Sequence, residues 1–332
     1  MTQTLLTQDQ RLEYMLRLVQ VARRTGQAVL KLSPDTVFDT FAAGQHHFST
    51  VDTQAGQRLR AAIARIMSDL PVSIAEETEI AQRSREEIRK FKYPLIVADA
   101  VEGSTNATRG LTARIQRPIR SGTSLMLLEN ESLGSVAASA FFDFSSGRVF
   151  SAVRGEQGSF LSFVNRKVIT PSDIAPKQDY SQKFVAVPGY SHGDVEARAQ
   201  VERVLLNAGF CTTGGSRSSA QDLLSIVAGS EIDAYADLRV LFPATTDRHD
   251  AVLHPWDVGG VLPVMDGLGL MVADTAGESW QKYRFFDQLA LIVARPSIGP
   301  SILAAIRQLP FIEDQAKEER VATIPHPLAS VS

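Results

Sequence analysis

One apolar run, Pro94-Leu95-Ile96-Val97-Ala98, leads without a break into Asp99-Ala100-Val101-Glu102-Gly103-Ser104-Thr105-Asn106. The first part reads as a buried strand. The second places two carboxylates, a glycine and two hydroxyls at that strand's end. Acids delivered from a hydrophobic core must be paired, protonated or bound to metal. Oxygen ligands of this kind suit hard cations such as Mg²⁺. Gly103 lets the backbone approach a ligand closely, and the amides after it can face an anion.

The 332 residues are enough for about two domains, and 44% hydrophobic content can fill a large core. Leu12, Met15, Leu16, Val19, Ala22, Gly26, Val29 and Leu30 recur at helical spacing. Leu59, Ala62, Ile63, Ile66 and Met67 mark a second helix, with Asp52 near its start. Ser33–Thr50 reads as a loop or hairpin carrying His46 and His47. A third helix is expected over Gln82–Phe91. Strands are expected at Leu95–Ala98, Thr123–Leu128, Leu133–Phe142 and Val149–Arg154, joined by turn signals into an antiparallel sheet.

Pro171, Pro176 and polar neighbours mark a boundary near Lys167–Gln182. The expected division is 1–170, an α+β half; 171–312, an α/β half; and a polar tail, 313–332. The second half reads as strands Phe184–Val187, Ile232–Ala236, Leu270–Val272 and Leu289–Val293. Its helices are expected at Val195–Ala208, Ser219–Ala228, Asp257–Asp266 and Ile302–Leu309.

A formal charge of −3 and no basic stripe argue against a nucleic-acid partner. No apolar run is long enough to span a bilayer. Cys211 is the only cysteine, so no intramolecular disulfide can form, and no signal peptide is visible. Together these point to a cytoplasmic protein.

Three further pieces stand in order around the acidic turn: Asp52 within Ser49-Thr50-Val51-Asp52-Thr53, Glu76-Glu77 after the apolar Pro71–Ala75, and Trp256-Asp257 ahead of an apolar run. In order and spacing they resemble the inositol monophosphatase family of magnesium-dependent, lithium-sensitive phosphatases, related to fructose-1,6-bisphosphatase. That family's pattern is Glu-Glu, then Asp-Pro-Ile-Asp-Gly-Thr-Thr-Asn, then Trp-Asp. The resemblance runs from about Arg11 to about Leu309. It implies a five-layer α-β-α-β-α sandwich of the sugar phosphatase type, with the active site between the halves, in a homodimer.

Carried over position by position, the resemblance makes Glu76, Asp99, the Val101 carbonyl, Glu102 and Asp257 ligands of two or three Mg²⁺ ions. Glu76 also serves the metal that holds the attacking water. Ser104 contacts that water and Asp52 accepts from Ser104. The amides of Gly103, Ser104 and Thr105 cradle the phosphate. Arg109, Arg114, Arg117, Arg120, Ser218, Ser219 and Asp237 are candidates for the substrate side. The chemistry suits these residue types, because a phosphate monoester is a dianion whose charge must be neutralised before water attacks.

Each residue also has a plainer reading. Glu76-Glu77 can be a solvated pair, and Asp257 and Asp52 can be helix caps. Glu102 stands where the family has aspartate and carries one methylene more. Ala100 replaces proline and Ala75 replaces glycine. Two longer segments, 107–120 with four arginines and 238–255 with Asp247, Arg248, His249, Asp250 and His254, adjoin the motifs. Guanidinium forks fit phosphate or carboxylate. The expected function is Mg²⁺-dependent hydrolysis of a phosphate monoester of a small polyol, sugar or related metabolite. The alternatives are a bisphosphate phosphatase, for a sugar bisphosphate or 3'-phosphonucleotide, and a weakly active or inactive relative that binds a ligand.

Overall fold

The computed structural model describes residues 5–32, 40–43, 46–112, 119–174, 182–189, 195–216, 218–228, 232–242 and 252–312. The tail 313–332 and the cluster Asp247–Asp250 lie outside them.

Helix α1 (Gln8–Val29) begins at a capping box in which Thr7 and Gln10 bond each other's backbone amides. The hairpin β1 (Thr40–Ala43) and β2 (His46–Ser49) follows, then α2 (Thr50–Ile66). Next come β3 (Ser73–Glu76), α3 (Glu77–Ala81), α4 (Arg85–Ile88), β4 (Leu95–Glu102) and α5 (Ser104–Thr112). Strands β5 (Gly122–Leu128), β6 (Val136–Asp143), β7 (Val149–Arg154), β8 (Phe160–Val164) and β9 (Lys167–Ile169) complete a seven-stranded sheet in the order β3 to β9. Only the β3–β4 pair is parallel; the rest are antiparallel.

The later residues form β10 (Phe184–Val187), α6 (Val195–Asn207), β11 (Cys211–Gly214), α7 (Ser219–Ala228) and β12 (Ala234–Asp237). They continue with α8 (Pro255–Val258), α9 (Leu262–Gly267), β13 (Met271–Ala273), β14 (Leu291–Ala294) and α10 (Gly299–Ile306). A mixed five-stranded sheet has the order β11-β10-β12-β14-β13.

Three apolar clusters give the layering. Leu18, Val19 and Ala22 of α1 and Leu59 of α2 pack on Ile96, Leu125 and Phe142 of the large sheet. Val97, Met126 and Phe141, from that sheet's other face, meet Leu223, Trp256 and Leu262 of α7–α9 and Tyr235 and Val293 of the small sheet. Val201 and Ile302 of α6 and α10 cover the small sheet's far face at Val185 and Ile292. The expected α-β-α-β-α sandwich is therefore present, with both sheets sharing one central apolar layer.

Several element boundaries differ from expectation. The helix expected over Gln82–Phe91 is shortened to α4, because Ser84 and Glu87 form a capping box that starts it there. Asp257–Asp266 is two short helices, parted at Gly259-Gly260 and restarted with Pro263 in the first turn. Leu133–Ser135 forms a 3₁₀ turn capped by Ser132, so the strand starts at Val136. Strands β8, β9 and β11 were not expected. No helix among the described residues is long and apolar enough to cross a membrane.

Candidate metal centre

Side chains on a strand alternate between its two faces. In the parallel β3–β4 register, Ala75 pairs with Val97 and Glu76 with Ala98. Ala75 and Val97 face the central layer, whereas Ala98 faces the α1–α2 side. Glu76 shares that second face. Its carboxylate lies 3.4 Å from the position a Cβ on Gly56 of α2 would take, and it accepts a hydrogen bond from the Thr78 hydroxyl. Burial raises its pKa, opposed by that hydrogen bond. The next residue, Glu77, opens α3 and reaches the opposite side.

There Glu77, Asp99 and Asp257 each present an oxygen, all within 4.8 Å of one another. Asp99 is buried; the other two are half-buried. Its Oδ1 accepts the Val101 amide at 2.8 Å, across an irregularity in the β4–β5 pairing between Asp99 and Glu102. Asp257 sits in the first turn of α8, where its Oδ2 accepts the His254 amide at 2.8 Å. Trp256 is buried and stacks on His254 with ring centres 4.2 Å apart. Gly259 and Gly260 let α8 lie directly on the large sheet. A Cβ on Gly260 would meet the Ala140 carbonyl at 2.7 Å, and the Gly260 amide donates to Ser124 Oγ at 3.0 Å.

Three acids so close oppose one another's ionisation. Burial is the first cause of the raised pKa of both Glu77 and Asp99; repulsion comes next, from Asp257 for Glu77 and from Glu77 and then Asp257 for Asp99, with Asp52 and Glu102 adding to both. Asp257 is pushed up to about 7, chiefly by burial, against the lowering effects of the His254 amide and Arg239. A divalent cation relieves this cost, and an all-carboxylate donor set fits Mg²⁺ or another hard cation.

The other candidate residues lie on the following elements. Asp52 is buried in the first turn of α2. Val101 is buried at the irregularity in β4. Gly103 has φ of +78°, a conformation that favours glycine, and a Cβ there would meet Ser218 Cβ at 2.9 Å. Ser104 and Thr105 open α5, whose first amides have no intrahelical acceptor. Glu102 stands outside the group of three. Its carboxylate accepts the Ser218 hydroxyl and, at 2.7 Å, the Ser219 amide.

Asp237 is fully buried, gripped by Arg239 Nε at 2.8 Å and Nη2 at 2.5 Å. The Tyr235 hydroxyl lies 2.9 Å from both Asp237 Oδ2 and Ser219 Oγ. Arg109 and Arg120 are exposed on either side of 113–118; Arg114 and Arg117 lie outside the described residues.

The motif pattern picks out Glu76, whereas Glu77, Arg239, Tyr235 and Asn106 stand out only in the structure. The alternation along β3 was the available signal for Glu77.

No family model matches the chain, and no curated protein matches it. Solved structures do. The extragenic suppressor protein suhB from Bartonella henselae aligns over 89% of this chain and 98% of its own, with a TM-score of 0.60 and 16% identity. Inositol monophosphatase from Anabaena (Nostoc) aligns over 91% and 98%, with a TM-score of 0.57 and 18% identity. An IMPase/NADP phosphatase complexed with Mg²⁺ and phosphate aligns over 85% and 92%, with a TM-score of 0.56 and 13% identity. The chain thus has the fold of these proteins.

Proposed function

We propose that this protein is a divalent-metal-dependent phosphatase that hydrolyses a phosphate monoester of a small polyol, sugar or related metabolite. The observation that carries the reading is the convergence of Glu77, Asp99 and Asp257 within 4.8 Å, three residues from the turn that opens α5. The similar structures, among them one complexed with Mg²⁺ and phosphate, support it. When bound, the cations neutralise phosphoryl charge and make water a better nucleophile. Glu77, Asp99 and Asp257 hold them. The first amides of α5 donate hydrogen bonds to the phosphoryl oxygens, favoured by the helix dipole. Ser104 and Asp52 would orient the attacking water: as it attacks, its proton would pass to Ser104 Oγ while the Ser104 hydroxyl proton passes to the Asp52 carboxylate, and the leaving alkoxide would take a proton from solvent.

Exposed Arg109 and Arg120, near the same turn, favour a second reading, in which the substrate carries a further anionic group, as in a bisphosphate. Phosphate release from a panel of phosphorylated metabolites, with Mg²⁺ or with EDTA, tests both. Asp99→Asn is the control. It keeps the side chain's shape, loses its charge, and should lower turnover by several orders of magnitude in a folded protein. Near-normal turnover in Asp99→Asn would overturn the metal-dependent reading. Absence of release from every substrate by the wild type, with Mg²⁺ bound, would favour a ligand-binding relative.

A further inference from the structure

Glu102 ends β4 with 5% of its surface exposed, and its carboxylate is engaged by residues far along the chain. The Ser218 hydroxyl donates to Oε2 and the Ser219 amide to Oε1 at 2.7 Å, and the Ala220 amide contributes as well. All three donors belong to the start of α7. Two of them are helix-start amides that have no intrahelical acceptor, and a carboxylate there makes charge-assisted bonds with the helix dipole in its favour.

Two neighbours grip the same segment. Asn106 Nδ2 donates to the Ser216 and Arg120 carbonyls, both at 2.8 Å. Gln221 Nε2 donates to the Ser121 carbonyl at 3.0 Å and to Asp143 Oδ1 at 2.8 Å. Gly103, between Glu102 and Asn106, lies against Ser218. The turn that opens α5 is thus stitched on both sides to residues 216–221, and none of these bonds uses Glu77, Asp99 or Asp257.

We infer that Glu102 is a positioning residue and not a metal ligand: through Ser218 and Ser219 it clamps the start of α7 against the Gly103–Thr105 turn. The inference takes from the phosphatase reading only the role of that turn in binding phosphate. Length explains the residue type. An aspartate falls short by ~1.5 Å, one C–C bond, and leaves both the Ser218 hydroxyl and the Ser219 amide unmet in a buried place.

The test uses the full chain with Glu102→Asp, Glu102→Gln, Ser218→Ala and the double variant Glu102→Asp/Ser218→Ala. Calorimetry follows Mg²⁺, then inorganic phosphate at saturating Mg²⁺; thermal melts are run in EDTA. Glu102→Asp and Ser218→Ala should each lower the melting temperature and weaken phosphate about tenfold, while Mg²⁺ affinity stays within about threefold. Glu102→Gln, which keeps the length and an accepting oxygen, should recover most of the phosphate affinity. The double variant should melt with Glu102→Asp alone, because both substitutions remove the same contact.

A tenfold or greater loss of Mg²⁺ affinity in Glu102→Gln, with Ser218→Ala silent, would make Glu102 a ligand and overturn the inference. Additive losses in melting temperature would overturn it too. If the wild type bound neither Mg²⁺ nor phosphate, the phosphatase reading would fall, and the melts in EDTA would still decide whether the clamp exists.

Discussion

Asp257→Asn separates a metal-binding acid from a helix cap, and the two roles predict opposite signs. In the metal-free protein Asp257 faces Glu77 and Asp99 within 4.8 Å, and its pKa stands at about 7, above an ordinary 3.8. A carboxyl whose pKa is raised on folding contributes its full stability below its unfolded value, and that stability is lost as pH rises through the folded value. At ~1.4 kcal/mol for each pKa unit, the cost of ionising Asp257 would reach ~4 kcal/mol above pH 7. Asp257 is only partly buried, so solvent screening brings the expectation to ~2 kcal/mol. Asparagine does not titrate and can still accept the His254 amide. In EDTA, Asp257→Asn should therefore be about as stable as the wild type near pH 4 and ~2 kcal/mol more stable at pH 8, as read by urea denaturation. Mg²⁺ at a hundredfold over its dissociation constant should then add ~2.7 kcal/mol to the wild type and far less to the variant. A variant less stable than the wild type at pH 8 in EDTA, with an undiminished Mg²⁺ effect, would leave Asp257 as the capping-box partner of α8 and nothing more.

Glu77→Gln should weaken Mg²⁺ at least tenfold by calorimetry, whereas Glu76→Gln, turned toward α2 and held by Thr78, should stay within about threefold. The reverse ranking would return the ligand role to the first glutamate. Joint replacement of Arg109 and Arg120 by alanine should cost ten- to a hundredfold in kcat/KM, ~1.5–3 kcal/mol, for a substrate with a second anionic group and little for a neutral-tailed phosphate. An unchanged substrate ranking would assign both arginines to solvent.

The parts of the fold legible in the sequence are those whose side-chain period is strong. Helices α1 and α2 present one apolar stripe to the large sheet, and β4 to β7 read as apolar runs because both faces are covered. The β8–β9 hairpin was missed because its strands are half-exposed and its turn lacks the usual signal. Asn165 and Arg166 take positive φ there, 49° and 70°, where a glycine would have announced the turn. Helices α8 and α9 merged into one expectation because their residues are apolar all round, so no period marks the break at Gly259-Gly260.

At the site the motif order and the structure agree on the stretches of chain that converge, and differ in which glutamate points at Asp99 and Asp257. A shared motif fixes where a backbone passes. Which of two adjacent glutamates faces the acids depends on strand register: Glu76 pairs with Ala98, whose side chain packs toward α1 and α2, so one step along β3 decides the matter. For Glu102 the deciding quantity is reach. Its carboxylate meets Ser218 and Ser219, 116 and 117 residues later in the chain. Nothing local to Asp99–Asn106 encodes that meeting. Read locally, Glu102 is one more acid of the turn, and its partners come into view only with the start of α7 beside it.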